Sequence, residues 1–261
     1  MPAPPLALNA WLRYDVVSRL LPSEAGSVLE IGCGAGGFGA RLAVDHEYLG
    51  VEPDGASYAA ALRRLAEFGR GEVRHGRSDD VVEPGRRFDV VCAFEVLEHL
   101  AEDEEAVRDW LRYVEPGGHL LVSTPAFQER FGRWDVHAGH YRRYSPEQIT
   151  ALLQRCGLRD VEAVVYGFPL GYALEGARNT YLRMRSGEES SGHVAGHFSD
   201  TVTEAPEVMA ERTAGSGRLL QPKDWMAALT QGVTAPFRAV QRRFPTRGTG
   251  LVARARLPHG G

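Results

Sequence analysis

Two short stretches of this sequence concentrate side chains that can move a proton. The first, EVLEHL, brings Glu95, Glu98 and His99 together, and the second, RWDVHAGHYRRYSPEQ, holds two histidines, two tyrosines, Trp134 and three arginines. A histidine titrates near neutral pH, so His140 can take the proton of a phenol or another hydroxyl, with His137 and His99 as further candidates. Arg142, Arg143 and Tyr144 could clamp a carboxylate or phosphate through forked hydrogen bonds, and Trp134 and Tyr141 would line the same substrate pocket. A packing role stays open for each: the arginines could pair with helix acids such as Glu147, the tyrosines could fill a cap, and the Glu-His pair could cap the helix that follows it.

A third stretch, VLEIGCGAGGFG, reads as a ligand loop, with a tight turn that binds no nucleotide as the alternative. Gly32, Gly34 and Gly37 satisfy G-x-G-x-x-G, the spacing that lets backbone N–H groups and a helix N-terminus approach a pyrophosphate. Glu30 stands two residues ahead of the first glycine, and a carboxylate there would repel that anion. S-adenosylmethionine brings a sulfonium and an ammonium group, so the acid becomes favourable. Glu52, in GVEPD, can take two ribose hydroxyls and points to an adenosine ligand of either kind.

The elements that must carry these residues are legible in the apolar spacing. Leu8, Trp11, Leu12, Val16, Leu20 and Leu21 predict an opening helix that stops at Pro22. SVLEIGCG reads as a buried strand entering the glycine turn, GGFGARLAV as a helix, EYLGVEP as a strand, and GASYAAALRRLAEFG as a helix closed by glycine. GEVRHG, RFDVVCAFE, HLLVSTPA and RDVEAVVYG read as further strands. EDEEAVRDWLRYVEPGG and SPEQITALLQRCGL read as helices, the first with acids in its opening turn and a Pro-Gly-Gly stop, the second with a serine cap and proline at its first position. Strands alternating with helices predict an α/β fold, a doubly wound and mostly parallel sheet. The strand GLVARARL is expected to return antiparallel beside Arg159 to Tyr166. The chain then divides into an N-terminal helix (1–26), a cofactor-binding core (27–166), a helical cap insertion (167–250) with a flexible segment near 186–199, and a returning strand and tail (251–261).

VLEIGCGAGGFG, GVEPD, RFDVVCAFEVLEHL and LRYVEPGGHLLVSTP, in this order and spacing, resemble the S-adenosylmethionine-dependent methyltransferases of the seven-stranded sheet class. The likeness is to the branch that contains the ubiquinone-biosynthesis O-methyltransferases and many small-molecule relatives, and it covers roughly Ser27 to Tyr166. It implies that Glu30, Gly32, Gly34 and Gly36 hold the methionyl end and Glu52 the ribose. Phe94 and Glu95, after the fourth strand, would flank the cofactor. The acid that usually meets the adenine is displaced here: HGRSDD has Arg77 and Ser78 at that place, which leaves Asp79 for the adenine contact. In some N-methylating relatives an E-x-x-E-H arrangement resembling EVLEH carries the acid/base work. The expectation is a methyltransferase acting on a small-molecule hydroxyl, of a kind found in secondary metabolism. An accessory protein that keeps the cofactor fold and a nicotinamide-dependent oxidoreductase are the alternatives.

Composition narrows the partners. A chain of 261 residues with 43% hydrophobic content can bury one large core, and its net charge of −4 gives no overall attraction to nucleic acid. Cys33, Cys92 and Cys156 show no metal-ligand spacing and suit a reducing cytoplasm, and no metal is expected. No leader or membrane span is expected either. The C-terminal stretch from Arg212 to Arg256 is basic and carries Trp225, Met226, Phe237 and Phe244. Such a face leaves room for peripheral membrane contact or a lipid-like acceptor, although a solvated helix face is the commoner outcome. Of the 30 basic residues only Lys223 is a lysine, a bias that by itself assigns no function. Oligomeric state has no signature in the sequence.

Overall fold

The computed structural model describes residues 4–189 and 226–259. Residues 190–199 of the segment expected to be flexible, and residues 212–225 of the basic stretch with Trp225, lie outside the described residues. Seven strands, β1 (Ser27–Ile31), β2 (Glu47–Glu52), β3 (Glu72–His75), β4 (Phe88–Phe94), β5 (Val114–Pro125), β6 (Arg159–Gly167) and β7 (Gly248–Arg256), form one sheet. Their order is β3-β2-β1-β4-β5-β7-β6, and β7 is antiparallel to both of its neighbours. The returning strand therefore lies beside β6, as its apolar run predicts, and is inserted between β5 and β6.

Nine helices surround the sheet among the described residues: α1 (Leu8–Leu20), α2 (Gly39–Leu42), α3 (Gly55–Phe68), α4 (Ser78–Val81), α5 (Asp103–Leu111), α6 (Arg133–Ala138), α7 (Pro146–Arg155), α8 (Leu170–Glu189) and α9 (Ala227–Arg243). Successive strand residues point to opposite faces, which builds two cores from one sheet. Leu29, Val91, Leu120 and Leu251 pack with Val107 and Trp110 of α5 and Ile149 and Leu153 of α7. Val28, Val90, Leu121 and Val252 pack on the other side with Leu12, Val16 and Val17 of α1 and Ala61 and Leu65 of α3.

Local chemistry starts and stops the helices. The Asp54 side chain accepts the Ser57 N–H at 2.7 Å ahead of α3, and Gly69 closes that helix with φ 72°. Ser145 and Gln148 form a reciprocal cap around Pro146. Two expectations need correction. GGFGARLAV gives one helical turn, because glycines fill the approach to it. Pro-Gly-Gly does not stop the chain before a strand at His119: β5 already begins at Val114, and the Gly117 N–H donates to the Leu257 carbonyl at 2.8 Å.

α1 lies on the sheet, and α9 rests on α1. The Trp11 indole donates to the Thr230 hydroxyl at 3.1 Å, the Gln241 amide donates to the Leu12 carbonyl at 2.9 Å, and Arg242 pairs with Asp15. α8 and α9 fall within the stretch that the sequence assigns to a cap. No helix among the described residues is long and apolar enough to cross a membrane.

Candidate active site

The loop leaving β1 turns on three left-handed glycines, Gly32 (φ 69°), Gly34 (φ 55°) and Gly36 (φ 71°). Gly37 is not among them, so the backbone follows G-x-G-x-G although the letters also fit G-x-G-x-x-G. A Cβ on Gly32 would stand 2.7 Å from Val96 Cγ2, and one on Gly36 would stand 3.2 Å from Ala61 Cα. Above Gly34 nothing lies within 4 Å. α2 is a single turn, and so short a helix offers a pyrophosphate little macrodipole.

Glu52 is buried at the end of β2, where its carboxylate accepts the Gly34 and Asp54 N–H groups, each at 2.8 Å. Burial pushes its pKa up, and the two N–H bonds oppose that. Each oxygen keeps a lone pair for a ligand hydroxyl. Glu30 differs from expectation. It is only 3% exposed, lies beneath the loop, and accepts the Tyr48 hydroxyl at 2.6 Å. Burial raises its pKa to about 8, so near neutral pH the protonated form dominates and the charge expected to repel a pyrophosphate is largely absent. Phe94 is buried edge-on against Phe38, with centroids 5.2 Å apart, and Asp79 is exposed on α4, 3.8 Å from Arg77. Glu95 takes φ 57°, accepts the Ser123 hydroxyl at 3.0 Å and pairs with Arg13 at 3.2 Å. The open space over Gly34 and the diol acceptors on Glu52 fit an adenosine-bearing cofactor.

Beyond the ends of β4 and β5 the proton-moving groups meet. The Tyr141 N–H donates to the Glu98 carbonyl at 2.8 Å and the Tyr144 N–H to that of Pro125 at 3.1 Å, which pins the loop after α6 against the turn Leu97–His99. His140 and His99 thereby stand edge to face, with centroids 4.7 Å apart. His140 Nδ1 lies 2.8 Å from the Asp135 carboxylate. Burial works against Asp135, yet hydrogen bonds from His140 and Arg143 hold its pKa at about 2. An ionised Asp135 places the imidazole proton on Nδ1 and leaves Nε2 to accept another. Burial, and then His140, push His99 down to about 3, so it is neutral. Glu98 is fully buried, and neither carboxyl oxygen has a hydrogen-bond partner among the described residues. Its pKa is driven up by burial and by Glu95. Glu98, His99 and His140 each bring one ligating atom within 4.8 Å of the others, an arrangement that could hold a cation.

A cavity of about 40 Å³ opens against this cluster, lined in part by Asn9, Glu95, Trp134, His140, Tyr166 and Arg178. Trp134 and His140 both line it. His137 is exposed on α6 with its ring against Trp134, outside the lining. The expected anion clamp is corrected. Arg142 pairs with Asp103 at 2.9 Å, and Tyr144 is buried and donates to the same carboxylate at 2.8 Å. Arg143 touches the cavity but is held by Asp135 and Glu175, each at 2.7 Å. Tyr141 is half-buried and contributes the backbone bond to Glu98. Asp135, Glu175 and Arg178 were not expected at the site. Asp135 sits inside the second stretch quoted above, whereas the other two lie on α8 with no motif around them.

The methyltransferase domain family matches residues 9–163. A probable S-adenosylmethionine-dependent methyltransferase of Mycolicibacterium smegmatis is 35% identical over 170 residues, covering 61% of this chain and 64% of that protein. A ubiquinone biosynthesis O-methyltransferase of Methylobacterium nodulans is 31% identical over 179 residues, 62% of this chain and 72% of its own length. Among solved structures, an S-adenosylmethionine-dependent methyltransferase of Thermotoga maritima described as a possible histamine N-methyltransferase aligns with TM-score 0.53 and 17% identity, over 95% of this chain and 88% of that one. Phosphoethanolamine N-methyltransferase 2 of Haemonchus contortus, solved with S-adenosyl-L-methionine, aligns with TM-score 0.54 and 16% identity over 94% of this chain and 52% of that one, a likeness of fold. With more than half of its length matched by the family, and with the sheet order and glycine turn described above, the chain belongs to the methyltransferase domain family.

Proposed function

We propose that the protein is an S-adenosylmethionine-dependent methyltransferase acting on a hydroxyl oxygen of a small molecule, with His140 as general base. The observation that carries this reading is the Asp135–His140 pair on the wall of the cavity beside the end of β4. When bound, S-adenosylmethionine supplies an electrophilic methyl group. Gly32, Gly34 and Gly36 shape its seat, Glu52 takes the ribose, Phe94 and Glu95 flank it, and Asp79 is the acid available to the adenine. His140 accepts the acceptor proton at Nε2, and Asp135 stabilises the imidazolium that forms. Similarity to ubiquinone biosynthesis O-methyltransferases supports oxygen as the acceptor atom. Free Cys33, Cys92 and Cys156 suit a cytoplasmic setting.

The orphaned Glu98 carboxyl favours a second reading, in which a divalent cation held with His99 and His140 binds the acceptor oxygen and lowers its pKa. A substrate screen read by product mass, repeated after chelation, separates the two. Under the base reading His140→Ala lowers turnover by roughly 10²–10⁴-fold, leaves S-adenosylhomocysteine affinity unchanged, and chelation has no effect. Activity lost to chelator and restored by magnesium or manganese moves the role to the cation. No methylated product with any hydroxylated acceptor, together with no cofactor binding by calorimetry, overturns both.

A further inference from the structure

The cavity contains a cation in excess. Three carboxylates line it, Glu95, Asp135 and Glu175, and all are engaged. Arg13 holds Glu95 at 3.2 Å, Arg143 holds Asp135 and Glu175 at 2.7 Å each, and Arg130 also pairs with Glu175. Arg178, on α8, has no ion pair or hydrogen bond among the described residues, and its guanidinium stacks over the Trp134 ring at 4.9 Å. Its Nε is buried without a hydrogen-bond partner. Burial of the charge lowers its pKa, with only partial support from the carboxylates of Glu175 and Glu95. Arg178 is half-buried, so a guanidinium short of a carboxylate partner stands at the cavity with its fork free to take an anion.

Two more groups in the same cavity wait for a partner. Among the described residues the Tyr166 hydroxyl is buried and unbonded at the end of β6, its ring seated where Gly250 has no side chain: a Cβ there would fall 2.4 Å from Tyr166 Cζ. The amide oxygen of Asn9, on α1, is also buried and unbonded among the described residues, an acceptor that suits a ligand hydroxyl and not a carboxylate. Three elements distant in sequence thus aim unsatisfied polar atoms into one space. A cavity of about 40 Å³ is large enough for a few solvent-sized atoms, the size of a carboxylate, given that one water needs roughly 10–15 Å³ by this measure.

We propose that Arg178 and Tyr166 form a subsite for a carboxylate carried by the methyl acceptor, so that the substrate class is a hydroxylated carboxylic acid. This rests on reading the cavity as the acceptor site. The guanidinium takes the carboxylate through its fork, the Tyr166 hydroxyl donates to it, and the acceptor hydroxyl is left on the side of His140.

Benzoate and benzamide, equal in shape and different in charge, test this by calorimetric titration against the full chain with S-adenosylhomocysteine present. Benzoate is expected to bind at least about tenfold more tightly, the range for one charge-assisted hydrogen bond. Arg178→Gln removes that preference without changing S-adenosylhomocysteine affinity, Arg178→Lys retains part of it, and Tyr166→Phe reduces it. Equal binding of the two probes to the unaltered protein, or a preference that survives Arg178→Gln, overturns the proposal. Should Arg178→Gln fail to fold, the matched probes and Tyr166→Phe still decide. Failure of S-adenosylhomocysteine itself to bind would sink the methyltransferase reading instead, and the same titration shows it separately.

Discussion

Glu30 shows how far a residue's type can outrun its surroundings. An acid at that position argues from charge only while it is charged, and the structure places it under Tyr48 with its pKa raised to about 8. The sign of the linkage follows. The folded state holds a proton that the unfolded carboxyl releases above its ordinary value of 4.5, so this contribution to stability is complete below 4.5, declines as pH rises, and is gone above about 8. Urea denaturation of the cofactor-free protein across that window should show stability falling by up to about 1.4 kcal/mol per pH unit from this group. In Glu30→Gln the decline should be shallower by this group's share, with what remains coming from Glu52 and Glu98; a wild-type slope in that variant would contradict the burial of a neutral acid. Glu52 and His140 could be singled out in the sequence as candidates because each sits in a short motif, whereas the burial that neutralises Glu30 has no signature there. Arg178 and Tyr166 could not, since what distinguishes them is the lack of a partner, and that is a property of three-dimensional neighbours.

At the scale of elements, the β1–α2 loop separates two roles for glycine. Gly32 and Gly34 both have positive φ, so alanine at either carries about 1–2 kcal/mol of backbone strain. Only Gly32 adds a collision, with Val96 at 2.7 Å, whereas the space over Gly34 is open. Gly32→Ala is therefore expected to lower the melting temperature more than Gly34→Ala, and Gly34→Ala to weaken S-adenosylhomocysteine binding beyond its effect on stability. Thermal melts and calorimetry on both variants check this, and the opposite ranking would mean that the open side of the loop is not the cofactor seat. The sequence located this loop correctly but overestimated the helix after it. α9 buries Thr230, Thr234 and Gln241 and leaves Leu229, Val233 and Val240 exposed. Apolar spacing predicts that a helix exists, while its orientation here follows from hydrogen bonds to Trp11 and Leu12 that no periodicity encodes.

For the whole molecule, the position of β7 decides how the chain must fold. Residues 248–256 fill the gap between β5 and β6 and pair along both edges, from His119↔Arg256 to Pro125↔Gly250 on one side and from Arg159↔Arg256 to Gly167↔Gly248 on the other. Leu251 and Ala253 complete the core under α7, and Val252 completes the opposite core with α1. The order of strands in space is thus closed by the last strand in sequence, and β6 has no partner in the sheet without it. Removing everything after Thr246 should expose two strand edges and both apolar faces at once, a loss that marginal stability does not absorb. The truncated chain is expected to show no cooperative unfolding transition by circular dichroism and to aggregate on expression. A soluble truncation that melts cooperatively and still binds S-adenosylhomocysteine would show that β6 can dock without β7. The sheet would then be complete at β5, with β6 and β7 an appendage to it.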